Sequence, residues 1–144
     1  MTENNRNYRI LVLDGQGGGV GARLVKLLKP LLPADCALLC VGTNSLATSA
    51  MLKAGASQGA TGENAVIFNS SRADLILGPI GMIMSNGIMG EVSPAMAAAV
   101  SGAEGKKILI PSSSCGVRIA GVEDQRLEDQ IQWTVQAVRQ ELRL

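Results

Sequence analysis

The chain has 144 residues, 47% of them hydrophobic, enough to bury one core in a single domain spanning residues 1–144. Its formal net charge is +1, and it holds one Trp, one Tyr and one Phe. It therefore lacks both the basic stripe and the stacking platforms that nucleic-acid binding needs. Histidine is absent, which excludes an imidazole base, a Ser–His or Cys–His couple and an imidazole metal site; no metal ligand set is expected.

Tyr8 to Leu13 is apolar at consecutive positions, the pattern of a strand covered on both faces. A glycine-rich turn, Asp14-Gly15-Gln16-Gly17-Gly18-Gly19-Val20-Gly21, leads from it into a helix running to Lys29. Val20, Leu24, Leu27 and Leu28 form the apolar stripe of that helix, and Pro30 and Pro33 end it. Cys36 to Val41 reads as a second strand, and Gly42-Thr43-Asn44-Ser45 caps a helix over 46–54 that stops at Gly55. Residues 59–64 read as a loop. Val66 to Phe68 fits a short strand or a helical turn equally well.

Leu75 to Leu77 is a further strand, followed by Gly78-Pro79-Ile80-Gly81. Ser93 as N-cap and Pro94 at the first helical position open an Ala-rich helix that ends near Gly102. Lys107 to Ile110 is a strand closed by Pro111, Val117 to Ala120 a final edge strand, and residues 123–142 the last helix. The stripe of that helix is Leu127, Ile131, Val135, Val138 and Leu142. Trp133 falls nearly opposite, which predicts a homo-oligomer with Trp133 at the contact. The alternation of strands and helices predicts an α/β fold: a three-layer Rossmann-like domain with a mostly parallel sheet.

Leu75 to Met89 is the most apolar segment, but Pro79, Ser85 and Asn86 interrupt it, so no membrane span is expected. Met1 to Asn7 is polar, without the apolar region of a signal peptide. The three cysteines, Cys36, Cys40 and Cys115, are odd in number and form no C-x-x-C pair. Reduced thiols in a cytoplasmic protein are expected. Cys115 lies in a Ser-rich turn with no neighbouring cation to activate it, so a spectator role outweighs a nucleophilic one.

The glycine-rich turn is the feature with chemical content. Glycines there let a ligand approach the backbone, and the start of the helix supplies free N–H groups and a positive dipole end. Such a turn suits a phosphate; a tight turn that needs glycines only for packing is the alternative. Thr43-Asn44, Gly78-Pro79 and Ser112 to Cys115 also follow the carboxyl ends of predicted strands, the edge where open α/β sheets bind ligands. Asp14, Gly15, Gln16, Gly17, Gly18, Gly19, Gly21, Thr43, Asn44, Glu63, Asn64, Gly78 and Ser112 are thus the candidate binding residues. Glu63 and Glu91 are loop carboxylates able to hold a ribose hydroxyl or Mg²⁺, or simply to face water. Asp14 would sit beside bound phosphate, an arrangement that calls for a bridging cation. The cofactor stays unnamed: a nucleotide or a dinucleotide, with or without Mg²⁺, meets these requirements. No residue is assigned a catalytic role.

The spacing Gly15-x-x-x-Gly19-x-Gly21 resembles the dinucleotide loop of short-chain dehydrogenases, which implies a dinucleotide-dependent enzyme. Two features depart from that pattern: the second predicted strand ends in Gly42-Thr43-Asn44, without an acidic residue to hold a ribose, and the chain has no Tyr-x-x-x-Lys pair. The order of the glycine turn, Thr43-Asn44, Gly59 to Asn64 and Ala73 to Met82 resembles the GTPase domain of tubulin-like proteins. There, Ile83 to Val92 carries Met, Ser, Asn and Glu in place of a second glycine-rich phosphate loop. The most extensive resemblance is to a small bacterial family known only as a domain of unknown function. Asp14 to Gly19, Gly42-Thr43-Asn44, Leu46 to Met51, Gly59 to Ala65 and Gly78 to Gly81 carry it. It implies a Rossmann-like fold and no activity. A small assembly or regulatory subunit with a purely structural glycine turn is a further reading.

Overall fold

The computed structural model describes residues 8–111 and 116–144. Five strands form one sheet in the order β3-β2-β1-β4-β5, all parallel: β1 (Tyr8–Asp14), β2 (Cys36–Gly42), β3 (Gln58–Thr61), β4 (Leu75–Pro79) and β5 (Lys106–Ile110). Among the described residues five α-helices connect or follow them: α1 (Gly19–Leu28), α2 (Ser45–Ala54), α3 (Glu63–Ser70), α4 (Pro94–Ser101) and α5 (Leu127–Leu142). Successive side chains of a strand point to opposite faces, and both faces of this sheet are covered. Ile10 and Val12 pack with α1, α2 and α5 on one side, while Leu11 and Leu13 pack with α3 and α4 on the other. The result is a three-layer α/β domain, as expected.

The strand order reverses between β1 and β4, so the chain leaves these two strands in opposite directions and opens a crevice above their carboxyl ends. The register keeps these ends level: Asp14 pairs with Gly42, and Gly42 with Thr61. The loops after β1, β2 and β3 therefore emerge side by side. Buried Thr48, on α2, ties this edge together. Its hydroxyl accepts from the Gly42 amide at 3.1 Å and lies 2.7 Å from the Thr61 hydroxyl.

Several local expectations hold for identifiable reasons. Asn44 caps α2 by accepting from the Ala47 amide at 2.9 Å, and Ser93 caps α4 by accepting from the Met96 amide at 3.2 Å. Others are corrected. Residues 59–61, read as the start of a loop over 59–64, belong to the edge strand β3; glycine and polar residues concealed it, and pairing with β2 creates it. Val66 to Phe68, ambiguous between strand and helix, lies inside α3. Val117 to Ala120 is not a strand, and α5 begins at Leu127 rather than at residue 123. Leu127 is not part of the core stripe but 40% exposed; Ile131, Val135 and Val138 are buried, joined by Thr134. Among the described residues no helix is long and apolar enough to cross a membrane.

Candidate functional site

The turn between β1 and α1 lines a cleft of about 490 Å³, bounded by Asp14 to Val20, Arg23 and Leu127. Its glycines fall into two groups. Gly15, Gly18 and Gly21 are required by packing. A Cβ on Gly15 would lie 2.8 Å from the Thr43 hydroxyl, one on Gly18 2.8 Å from the Ala47 backbone, and one on Gly21 2.5 Å from the Met51 sulfur. Gly18 also has φ +74°, a left-handed conformation in which glycine is relaxed. Gly17 and Gly19 differ: a Cβ on either would meet nothing within 4 Å. Among the described residues, the amides of Gly17 and Gly19 have no acceptor.

Asp14 does not face outward across this turn. Its buried carboxylate accepts the amide of Gly15 at 2.8 Å and that of Gly21 at 2.7 Å. Gly18, the N-cap residue of α1, has no side chain to offer, so Asp14 does the capping from the end of β1. Burial pushes its pKa up, against the backbone N–H groups that lower it; the charge of Glu91 raises it further. Both oxygens are engaged inside the turn, which removes the need for a bridging cation. Among the described residues no cluster of His, Cys, Asp or Glu is able to hold a metal ion.

Glu91, read from the sequence only as a loop carboxylate able to hold a ribose hydroxyl or Mg²⁺ or to face water, and outside the set of candidate binding residues, is brought to this turn by the fold. It arrives on the loop after β4, and its Oε1 accepts from the Gln16 amide (2.9 Å), the Thr43 hydroxyl (2.6 Å) and the Asn44 Nδ2 (2.9 Å). These donors hold the carboxyl below its ordinary pKa, the Thr43 hydroxyl contributing most. Asn44 also donates to the Gln16 carbonyl at 3.0 Å, so the tips of the first two loops are clamped together. Nothing in the local sequence places Glu91 against the first turn. Its place follows from a 75-residue separation that only the fold closes. Arg23, which the sequence reading did not mark, sits one turn into α1 on the cleft wall, in a 3.1 Å ion pair with Glu128.

The remaining candidates have other positions. Glu63 accepts from the Ser93 hydroxyl at 2.5 Å, linking the starts of α3 and α4, and exposed Asn64 follows it; neither lines the cleft. Gly78 serves strand packing, since a Cβ there would lie 2.4 Å from the Leu13 carbonyl oxygen. Ser112 and Cys115 lie outside the described residues. Cys36 and Cys40 are free thiols, and burial pushes Cys40 up to about 11, the state of an inert thiol.

A parallel α/β sheet with a glycine-rich turn at its switch point defines the class of this protein: a Rossmann-like α/β domain. Within that class, the chain belongs to the family described as domain of unknown function DUF3842, whose profile matches residues 9–143. No curated protein matches the chain.

Proposed function

We propose that this protein binds a nucleotide or another small phosphate-bearing ligand in the cleft above the β1–α1 turn, in the cytoplasm. The observation that carries this reading is the contrast within the turn. Gly15, Gly18 and Gly21 are explained by internal packing, whereas Gly17 and Gly19 have no neighbour that would oppose a side chain. Their open amides lie at the positive end of α1, which favours an anion. Arg23 adds a cation on the same wall. Its ion pair with Glu128 is half exposed on both sides, an arrangement worth about 0–1 kcal/mol, so a phosphate can compete for the guanidinium. Leu127 supplies an exposed apolar surface at the rim of the cleft.

Calorimetry with ATP, GTP, NAD and inorganic phosphate tests this function, using wild type and Gly19→Val. The valine side chain has room in the folded chain, so the variant should keep its unfolding temperature yet lose affinity by about tenfold or more, roughly one lost hydrogen-bonded anion contact. Equal affinity in the variant, or no binding by wild type, would overturn the proposal.

A further inference from the structure

Glu91 does not line the cleft itself, but it grips the amide of Gln16, which does, and so changes what the edge of the cleft can recognise. Its Oε1 consumes the Gln16 amide, the Thr43 hydroxyl proton and a proton of Asn44, all donors that a phosphate would otherwise use. Among the described residues no donor reaches Oε2. What remains at this spot is therefore a fixed acceptor carrying negative charge. It repels phosphate and suits a hydroxyl donor. The acceptor stands at the tip of β2, where a sheet of this topology places the carboxylate that binds a nucleotide's sugar. Here β2 ends at Gly42, is followed by Thr43-Asn44 and provides no acid. Glu91 reaches the same place from the other side of the switch point. The Gln16 amide it holds is next in the chain to the open amide of Gly17, with the Cα atoms of the two residues about 3.8 Å apart, a separation within the reach of a ribose and its phosphate.

The loop that carries Glu91 is built to hold it there. Asn86, Ile88 and Met89 have φ of 64°, 53° and 55°, left-handed values that are costly for a β-branched residue such as Ile88. Five backbone hydrogen bonds across residues 84–92 lock the loop, among them Asn86 N–H to the Val92 carbonyl at 2.7 Å. The Ile88 side chain lies against both Gly15 and Gly81, spanning the loops of β1 and β4.

We propose that Glu91 is the acceptor for the ribose hydroxyls of the bound nucleotide, so that the site takes ribonucleotides with free 2′- and 3′-hydroxyls and rejects 2′-phosphorylated ones. This rests on the phosphate reading of the cleft, and the experiment separates the two. Calorimetry is run on wild type, Glu91→Gln and Gly19→Val with ATP, 2′-deoxy-ATP, 3′-deoxy-ATP, the same three forms of GTP, NAD and NADP. Wild type should favour the ribonucleotide over at least one deoxy form, and NAD over NADP, by about tenfold or more, the scale of a hydrogen bond to a charged group. In Glu91→Gln both preferences should shrink to within about threefold, because the fixed anion is gone. Equal wild-type affinity for the ribo and both deoxy forms overturns the assignment without recourse to any variant. So does a preference that survives in Glu91→Gln, or tighter binding of every nucleotide by that variant, which would mark the carboxylate as a plug in an anion site. Binding that is lost in Gly19→Val but indifferent to the sugar overturns the role of Glu91 alone. Absence of nucleotide binding by wild type overturns the reading of the cleft and this assignment together.

Discussion

Two carboxylates define the chemistry of the turn at the scale of single residues, and their environments push them in opposite directions. Asp14 is buried and its carboxyl is raised above the ordinary 3.8; Glu91 is gripped by three donors and lies below the ordinary 4.5. The folded chain thus protonates Asp14 at a pH where the unfolded chain is still ionised, so this residue makes folding stronger as pH falls through the interval just above 3.8. Glu91 acts the other way: its contribution is present above 4.5 and is lost as pH falls through its lower folded value. Asp14→Asn puts an amide NH₂ against the backbone N–H of Gly15 or Gly21 and leaves one of them unsatisfied. It should cost about 1–3 kcal/mol at neutral pH. Urea unfolding at a series of pH values checks both points: the gap between wild type and Asp14→Asn should widen as pH drops toward 3.8. A variant as stable as wild type would show that Asp14 does not cap α1.

At the scale of elements, the β1–α1 turn is a packing joint, and in the function we propose it is also the ligand cradle. Gly18 allows α1 to approach α2 so closely that its Cα faces the Ala47 backbone. Gly18→Ala must therefore push the helices apart while holding φ +74°, which should cost about 1–3 kcal/mol. Gly17→Ala, at the preceding residue but in open space, should shift stability by less than about 0.5 kcal/mol. Thermal unfolding of both variants would reveal the contrast; equal effects would erase the division of the turn into packing and cradle glycines.

At the scale of the whole molecule, α5 leaves one large aromatic in solvent. Trp133 is 66% exposed in a shallow depression of about 630 Å³ bordered by Asp124 to Arg126, Asp129, Gln132 and Gln136. Polar neighbours around one exposed tryptophan match the make-up of an interface anchor. Our proposal for assembly is a homo-oligomer with Trp133 in the contact. Light scattering after size exclusion should give a multiple of 14.9 kDa for wild type and a smaller mass for Trp133→Ala. A wild-type monomer, or an oligomer unaltered by the substitution, would remove Trp133 from the interface.

Much of this architecture was legible in local chemistry. Apolar runs at β1, β2, β4 and β5, the caps Asn44 and Ser93, and Pro94 at the start of α4 each depend on neighbours within a few residues. The glycine turn was legible for the same reason, since backbone freedom is a property of the residue itself. Tertiary structure alone decided the rest. Strand β3 exists because β2 offers it an edge, and Leu127 leaves the helical stripe because α5 begins beside the cleft. The inward turn of Asp14 follows from the missing side chain at Gly18, and the site's second carboxylate comes from 75 residues beyond the turn that it serves. Hydrogen bonds and burial at such separations are set by how the sheet orders its strands, and no spacing along the chain encodes them.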